Sequence, residues 1–232
     1  MIEDTKTTVE KALKTAETWA SQLPAPTTKN SVAKSYRDKL LLQEPEFKRQ
    51  WINKRLGLDR HHPSVVELEG AVWDFCRAVA DNPRRGKRYV VSGNNGCAKT
   101  RCARAIRKWI DDRAIDLPLV DCESGLRTID CLMVNWAERV GLMKQGHWDI
   151  DDMTDATVLI LDDIGAEHDP SRAGVEKLYL VLENREKRHT WITTNLPPAQ
   201  WEGRFDRRVA DRLFRNSLHI DMSKCPSYSV NT

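Results

Sequence analysis

The chain has 232 residues, 31% charged and 40% hydrophobic, enough for one well-cored domain of roughly 150–180 residues and a smaller appendage. Eleven glycines and ten prolines argue against collagen-like, Gly/Ser-linker and Pro-rich classes. A mean hydropathy of -0.58, a net charge of +3 and six cysteines with no Cys-x-x-Cys pair argue against a membrane span, a strongly basic nucleic-acid coat, a disulfide framework and a zinc ribbon.

The opening residues, Met1-Ile2-Glu3-Asp4-Thr5, are acidic and polar and show no signal-peptide core, so a cytoplasmic location is expected. Residues 5–23 read as a helix with Val9, Leu13, Ala16 and Ala20 on one face, broken by Leu23-Pro24-Ala25-Pro26. A second helical stretch runs from about Ser31 to Leu56-Gly57, interrupted at Pro45. Residues 1–62 hold twelve basic and eight acidic side chains, which suits a solvated helical surface or a weak nucleic-acid arm. The break at His61-His62-Pro63-Ser64 divides the chain into a helical module over 1–62 and a larger domain over 63–232. The two adjacent histidines lack the i, i+4 spacing of helical metal ligands and read as a surface turn.

From Pro63 helical patterns alternate with short apolar strands. Ser64 is a candidate cap for a helix through about Ala80, closed by Asp81-Asn82-Pro83. Strands are expected at Arg88–Ser92, Leu117–Cys122, Thr157–Leu161, His189–Thr193 and Ser217–Asp221, with helices over 98–113, 125–143, 172–187 and 204–215. The fold class this predicts is α/β, with a parallel five-stranded sheet covered on both faces. The eight tryptophans are scattered and read as packing residues rather than a base-stacking platform.

The first strand runs into Gly93-Asn94-Asn95-Gly96-Cys97-Ala98-Lys99-Thr100 and then a helix, the strand–loop–helix setting of a P-loop. Small residues let backbone N–H groups turn toward phosphates, and the helix presents its positive dipole end. Lys99 can reach the β- and γ-phosphates of ATP, and the Thr100 hydroxyl can hold Mg²⁺. Ala98 stands where glycine is usual before the lysine. Cys97 lies near a helix N-terminus that could lower a thiol pKa, and a bystander thiol is the plainer reading.

The run Val158-Leu159-Ile160-Leu161-Asp162-Asp163 is a buried strand that carries two acids to the carboxyl edge of the sheet, where open α/β folds bind ligands. Asp162 suits the Mg²⁺ shell, and Asp163 suits orienting or deprotonating water. The next strand ends in Thr194-Asn195, an amide placed to polarise that water or simply to form an Asn-Leu-Pro turn. Over 202–215, Phe205, Val209 and Leu213 form one apolar row and Arg204, Arg208 and Arg212 a second row beside it. That row is either a solvated helix face or the source of an arginine that reaches a neighbour's γ-phosphate.

Together these motifs resemble the DnaC/DnaI/IstB group of AAA+ ATPases, the helicase loaders and transposition helpers, over roughly residues 64–229. The resemblance rests on Gly93–Thr100, on Asp162-Asp163-Ile164-Gly165-Ala166-Glu167, on Leu182-Glu183-Asn184-Arg185, on Thr193-Thr194-Asn195-Leu196-Pro197 and on Arg208-Val209-Ala210-Asp211-Arg212-Leu213. It implies ATP and Mg²⁺, a homo-oligomeric ring or spiral with Arg212 as the inter-subunit finger and Arg208 one turn earlier, and binding of single-stranded DNA. Arg127, Arg139 and Lys144 are the DNA-contact candidates it suggests. Its partner would be a DnaB-type replicative helicase, gripped through residues 1–62. The group's closing Ser-Tyr-Arg reads Ser227-Tyr228-Ser229 here, so its second-sensor arginine is missing, and the short run after the last strand suggests no sizeable C-terminal lid. A transposase-helper ATPase and a nucleotide-gated adaptor with little hydrolysis remain open beside the loader.

Overall fold

A computed structural model describes residues 62–113, 129–147, 149–225 and 227, together with the backbone of 120–122 and 125–127. The expected helices of residues 1–61 and the Tyr228-Ser229 position lie outside the described residues. Helix α1 spans Pro63–Asp81, and Pro63 occupies its first turn, where a missing N–H costs nothing. His62, not Ser64, is the cap residue, and it makes no side-chain cap bond. Then follow β1 (Arg88–Ser92), α2 (Lys99–Arg113), β2 (Val120–Cys122), β3 (Gly125–Arg127), β4 (Cys131–Asn135), α3 (Trp136–Met143) and α4 (Asp151–Asp155). The order continues with β5 (Val158–Ile164), α5 (Ala173–Asn184), β6 (His189–Thr194), a 3₁₀ turn (Pro198–Gln200), α6 (Trp201–Arg204), α7 (Arg207–Phe214) and β7 (Ser217–Asp221).

Five strands form one sheet in the order β4-β5-β6-β1-β7, and every pair in it is parallel. The α/β expectation holds, with one strand exchanged. Residues Val120–Cys122 do not join this sheet; they pair antiparallel with Gly125–Arg127 as a separate ribbon. The fifth strand is instead Cys131-Leu132-Met133-Val134-Asn135, inside the segment expected to be helical over 125–143. Its four-residue apolar run, Cys131–Val134, carries no period that separates strand from helix. The chain switches at Asn135, whose side chain accepts from the Glu138 N–H at 3.1 Å and caps α3.

The pleat sorts the strand residues between two cores. Tyr89, Val91, Val158, Ile160 and Trp191 face α1 and α2, whereas Val90, Leu159, Leu161 and Ile192 face α3, α5 and α7. Full burial of each such side chain contributes about 1.5–3 kcal/mol. Tyr89 and Trp191 are register partners with rings stacked at 5.5 Å, and Phe75 of α1 meets both edge-on at 5.3 and 5.4 Å. All five described tryptophans are buried, as packing residues should be. Among the described residues no helix is long and apolar enough to cross a membrane, and none follows β7.

The expected helix over 204–215 is two helices. Asp206 has an extended backbone, and its carboxylate accepts from the Val209 N–H at 2.8 Å, which starts α7 afresh. Phe205, Val209 and Leu213 still share the buried side. Arg204, however, ends α6 and does not continue the row of Arg208 and Arg212.

Candidate active site

Because the main-sheet strands are parallel, the carboxyl ends of β1, β5 and β6 meet at one edge. The loop after β1 is anchored there from both sides. Gly93 N–H donates to Thr194 O at 3.2 Å, Met222 N–H to Ser92 O at 2.7 Å, and the Asn94 amide to Ser223 O at 2.9 Å. Gly93 has φ +152° and lies so close to Met222 that a Cβ would stand 2.6 Å from its Cβ and 2.7 Å from its carbonyl carbon, so only glycine fits. Gly96 (φ +81°) and Ala98 (φ +62°) complete the turn into α2. For Ala98 that left-handed backbone costs about 1–2 kcal/mol, which explains the usual glycine. The Cys97 thiol is buried and donates weakly to Met222 O and Cys225 O, so it anchors the loop from behind.

Lys99 is buried, and its ammonium donates to Gly93 O at 2.8 Å and Asn94 O at 2.7 Å. Burial lowers its pKa, and the nearby Asp163 and Asp162 work against that shift. The Thr100 hydroxyl donates to Asp162 Oδ1 at 3.1 Å. A cavity of about 260 Å³ opens between the loop, 95–101, and the strand tips at Asp163, Thr193 and Asn195.

A bulge brings the two acids to the strand tip, where Asp163 lines this cavity and Asp162 lies behind it against the Thr100 and Thr193 hydroxyls. Leu161 pairs with Ile192 and Ile164 with Thr194, so Asp162 and Asp163 together stand opposite Thr193. In a regular strand neighbouring side chains point to opposite faces; the extra residue and the φ of +63° at Asp163 re-aim them. Thr193 holds both acids. Its hydroxyl donates to Asp162 Oδ1 at 2.6 Å and accepts from the Asp163 N–H at 2.9 Å. Asn195 donates its amide to Asp163 Oδ1 at 2.6 Å. Burial, with Asp162 beside it, raises the Asp163 pKa, and Lys99 pulls it down.

The structure therefore brings together the loop 93–100, Asp162, Asp163 and Asn195. Thr193 is the residue sequence reasoning missed; its signal was only a hydroxyl at the tip of the strand beside the acids. The donor set suits its expected ligands. The first N–H groups of α2 and Lys99 suit phosphate oxygens. Thr100 and Asp162 would offer Mg²⁺ hard oxygen ligands. Among the described residues no group of three or more His, Cys, Asp or Glu side chains is placed to hold a metal by itself.

The other candidates lie apart from this cavity. Arg208 stands over the Tyr179 ring at 4.9 Å and pairs with Glu176 at 2.6 Å and Asp206 at 3.1 Å. Arg212 pairs with Glu183 of α5. Arg139 donates to Asp149 O and Asp152 Oδ1, both at 2.8 Å, and Lys144 to His168 O. The Arg127 side chain lies outside the described residues.

The five-stranded parallel sheet, with the glycine-bearing loop after its fourth-placed strand and the paired acids on its second, is a DnaC/DnaI-like fold. The crystal structure of the DnaC helicase loader is similar, at 21% identity and a TM-score of 0.56 over 75% of this chain and 98% of that one. The crystal structure of DnaI is similar at 20% identity and a TM-score of 0.57 over 71% and 88%. Domain III of the replication initiation protein DnaA from Thermotoga maritima follows at 15% identity and 0.53, over 72% and 65%. No family model matches the chain, and no curated protein matches it.

Proposed function

We propose that this protein is an ATP-dependent helicase loader, which grips a DnaB-type hexameric replicative helicase and places it on single-stranded DNA. The observation that carries this reading is the Thr193-bridged acid pair facing Lys99 and Thr100, within a fold that aligns with nearly the whole DnaC chain. Lys99 would leave Gly93 O and Asn94 O for the β- and γ-phosphates of ATP. Thr100 and Asp162 would hold Mg²⁺, which shields phosphate charge when bound. Asp163 would accept a hydrogen bond, and then the proton, from the attacking water, with Asn195 fixing the carboxylate through Oδ1. Protein subunits would form a ring or spiral in which Arg212, exchanged from Glu183, meets the γ-phosphate held by the next subunit. Such an arginine is worth about 10³–10⁵ in rate. Residues 1–62 would dock on the helicase, and Arg127, Arg139 and Lys144 would contact DNA.

The test is size-exclusion chromatography with light scattering of the full chain mixed with a DnaB-type hexamer, ATP and Mg²⁺, beside a chain lacking residues 1–62. A complex is expected with the full chain only. Absence of any complex, together with binding of double-stranded DNA, would overturn the loader reading in favour of a transposition helper.

A further inference from the structure

The turn that follows the acid pair is gripped by a side chain with no place in the mechanism above. Asp163 (φ +63°) is an L-residue in a backbone region that must be held from outside, and Gly165 two residues later has φ +90°. From the β6 side the hold is Thr193 on the Asp163 N–H, Asn195 on its carboxylate, and the Thr194 hydroxyl on Ile164 O at 2.7 Å. From the other side the hold is Arg204. Its Nε donates to Gly165 O at 3.0 Å, and its Nη2 donates to Glu167 Oε1 at 2.9 Å and to Glu167 O. Glu167 closes the turn on itself, for its Oε2 accepts from the Gly165 N–H at 2.7 Å. That carboxylate is 1% exposed, so its charge depends on the guanidinium beside it.

The contacts leave the turn little slack. A Cβ on Gly165 would stand 2.5 Å from Leu196 Cδ1 and 3.3 Å from Phe205 Cζ, so the turn packs directly on the β6 tip and on the residue after Arg204. Trp201, at the other end of α6, donates its indole N–H to Leu196 O at 3.0 Å. The four-residue helix is thus fastened to both strand tips, by Trp201 to β6 and by Arg204 to β5. One residue beyond Phe205, Asp206 starts the helix that bears Arg208 and Arg212.

We infer that Arg204 is a positioning residue for hydrolysis: through Gly165 and Glu167 it fixes the backbone that aims Asp163, and it ties that backbone to the chain leading into α7. The inference rests on reading Asp163 as the group that orients the attacking water. Arg204 does not line the cavity at the loop, so its removal should affect turnover and not nucleotide affinity.

The experiment measures ATP hydrolysis over a range of ATP concentrations, binding of a fluorescent ATP analogue, and thermal unfolding. It compares the full-length chain with Arg204→Met, Arg204→Lys and Glu167→Gln. Misplacement of a reacting group by about 1 Å can cost on the order of 100-fold. The expected result is a kcat about 10–100-fold lower in Arg204→Met, with KM and analogue affinity within about 3-fold of the unaltered chain. Arg204→Lys keeps the charge without the fork and should recover only part of the rate. If Arg204→Met does not fold, the other two variants decide. Wild-type kcat in the variants that fold, or a loss of kcat matched by an equal loss of affinity, overturns the inference while leaving the ATPase reading standing. An unaltered chain that binds the analogue but never hydrolyses ATP overturns both.

Discussion

Asp163→Asn should abolish most ATP hydrolysis, by about 10²–10⁴-fold, while leaving ATP binding intact or slightly tighter. The substitution is nearly isosteric, and asparagine is among the few residues that tolerate the left-handed backbone Asp163 adopts at φ +63°. Its amide oxygen can still accept from Asn195, as Asp163 Oδ1 does at 2.6 Å. What is lost is the anionic oxygen that, in the proposed mechanism, takes the water's proton. One negative charge is also removed from the cavity proposed to hold phosphates, so affinity has no reason to fall. Phosphate release and equilibrium ATP binding, measured side by side, check this; turnover at the wild-type rate would remove Asp163 from the mechanism.

The second large effect is on folding. Arg185→Met should destabilise the domain by about 3–5 kcal/mol, read as a lower urea midpoint at unchanged slope. Arg185 is fully buried and pairs with no carboxylate among the described residues. Its charge is solvated by carbonyls instead: Met153 O at 2.9 Å, Ala156 O at 2.6 Å and His189 O at 2.7 Å, with Nε on the Thr190 hydroxyl at 3.2 Å. Burial lowers its pKa to about 9, which still leaves it protonated at neutral pH. Methionine fills most of the space but strands these acceptors, and each buried unpaired group costs about 1–3 kcal/mol. Arg185 ties the end of α5 to the segment entering β5 and to the start of β6, at the opposite ends of those strands from the cavity. Folded Arg185→Met protein should therefore bind ATP normally in the cold. A stability change under about 1 kcal/mol would show that water reaches these carbonyls.

The site was legible wherever its chemistry is written in consecutive residues. The loop from Gly93 to Thr100 and the apolar run into Asp162-Asp163 name their own strands and edge. The bulge that sets Asp163 at the cavity and Asp162 against Thr100 was not legible, because it is a matter of pairing register with Thr193. Thr193 and Arg204 act through contacts 30 or more residues away in sequence, which no local pattern encodes. Asp206 was a missed signal of another kind, a good cap residue directly before a periodic run, hidden by the tempting arginine spacing of 204, 208 and 212. The strand at Cys131–Asn135 was missed because it is half-buried along its whole length and too short to show a period.

Everything proposed depends on ATP seated at Lys99. Its ammonium now satisfies Gly93 O and Asn94 O, contacts that phosphate oxygens must replace. Calorimetric titration of the full chain and of Lys99→Ala with Mg·ATP tests this most directly. Saturable one-to-one binding by the unaltered chain is expected, weakened at least about 100-fold, or about 2.7 kcal/mol, in the variant. Equal affinity in the two proteins would contradict the assignment of the site.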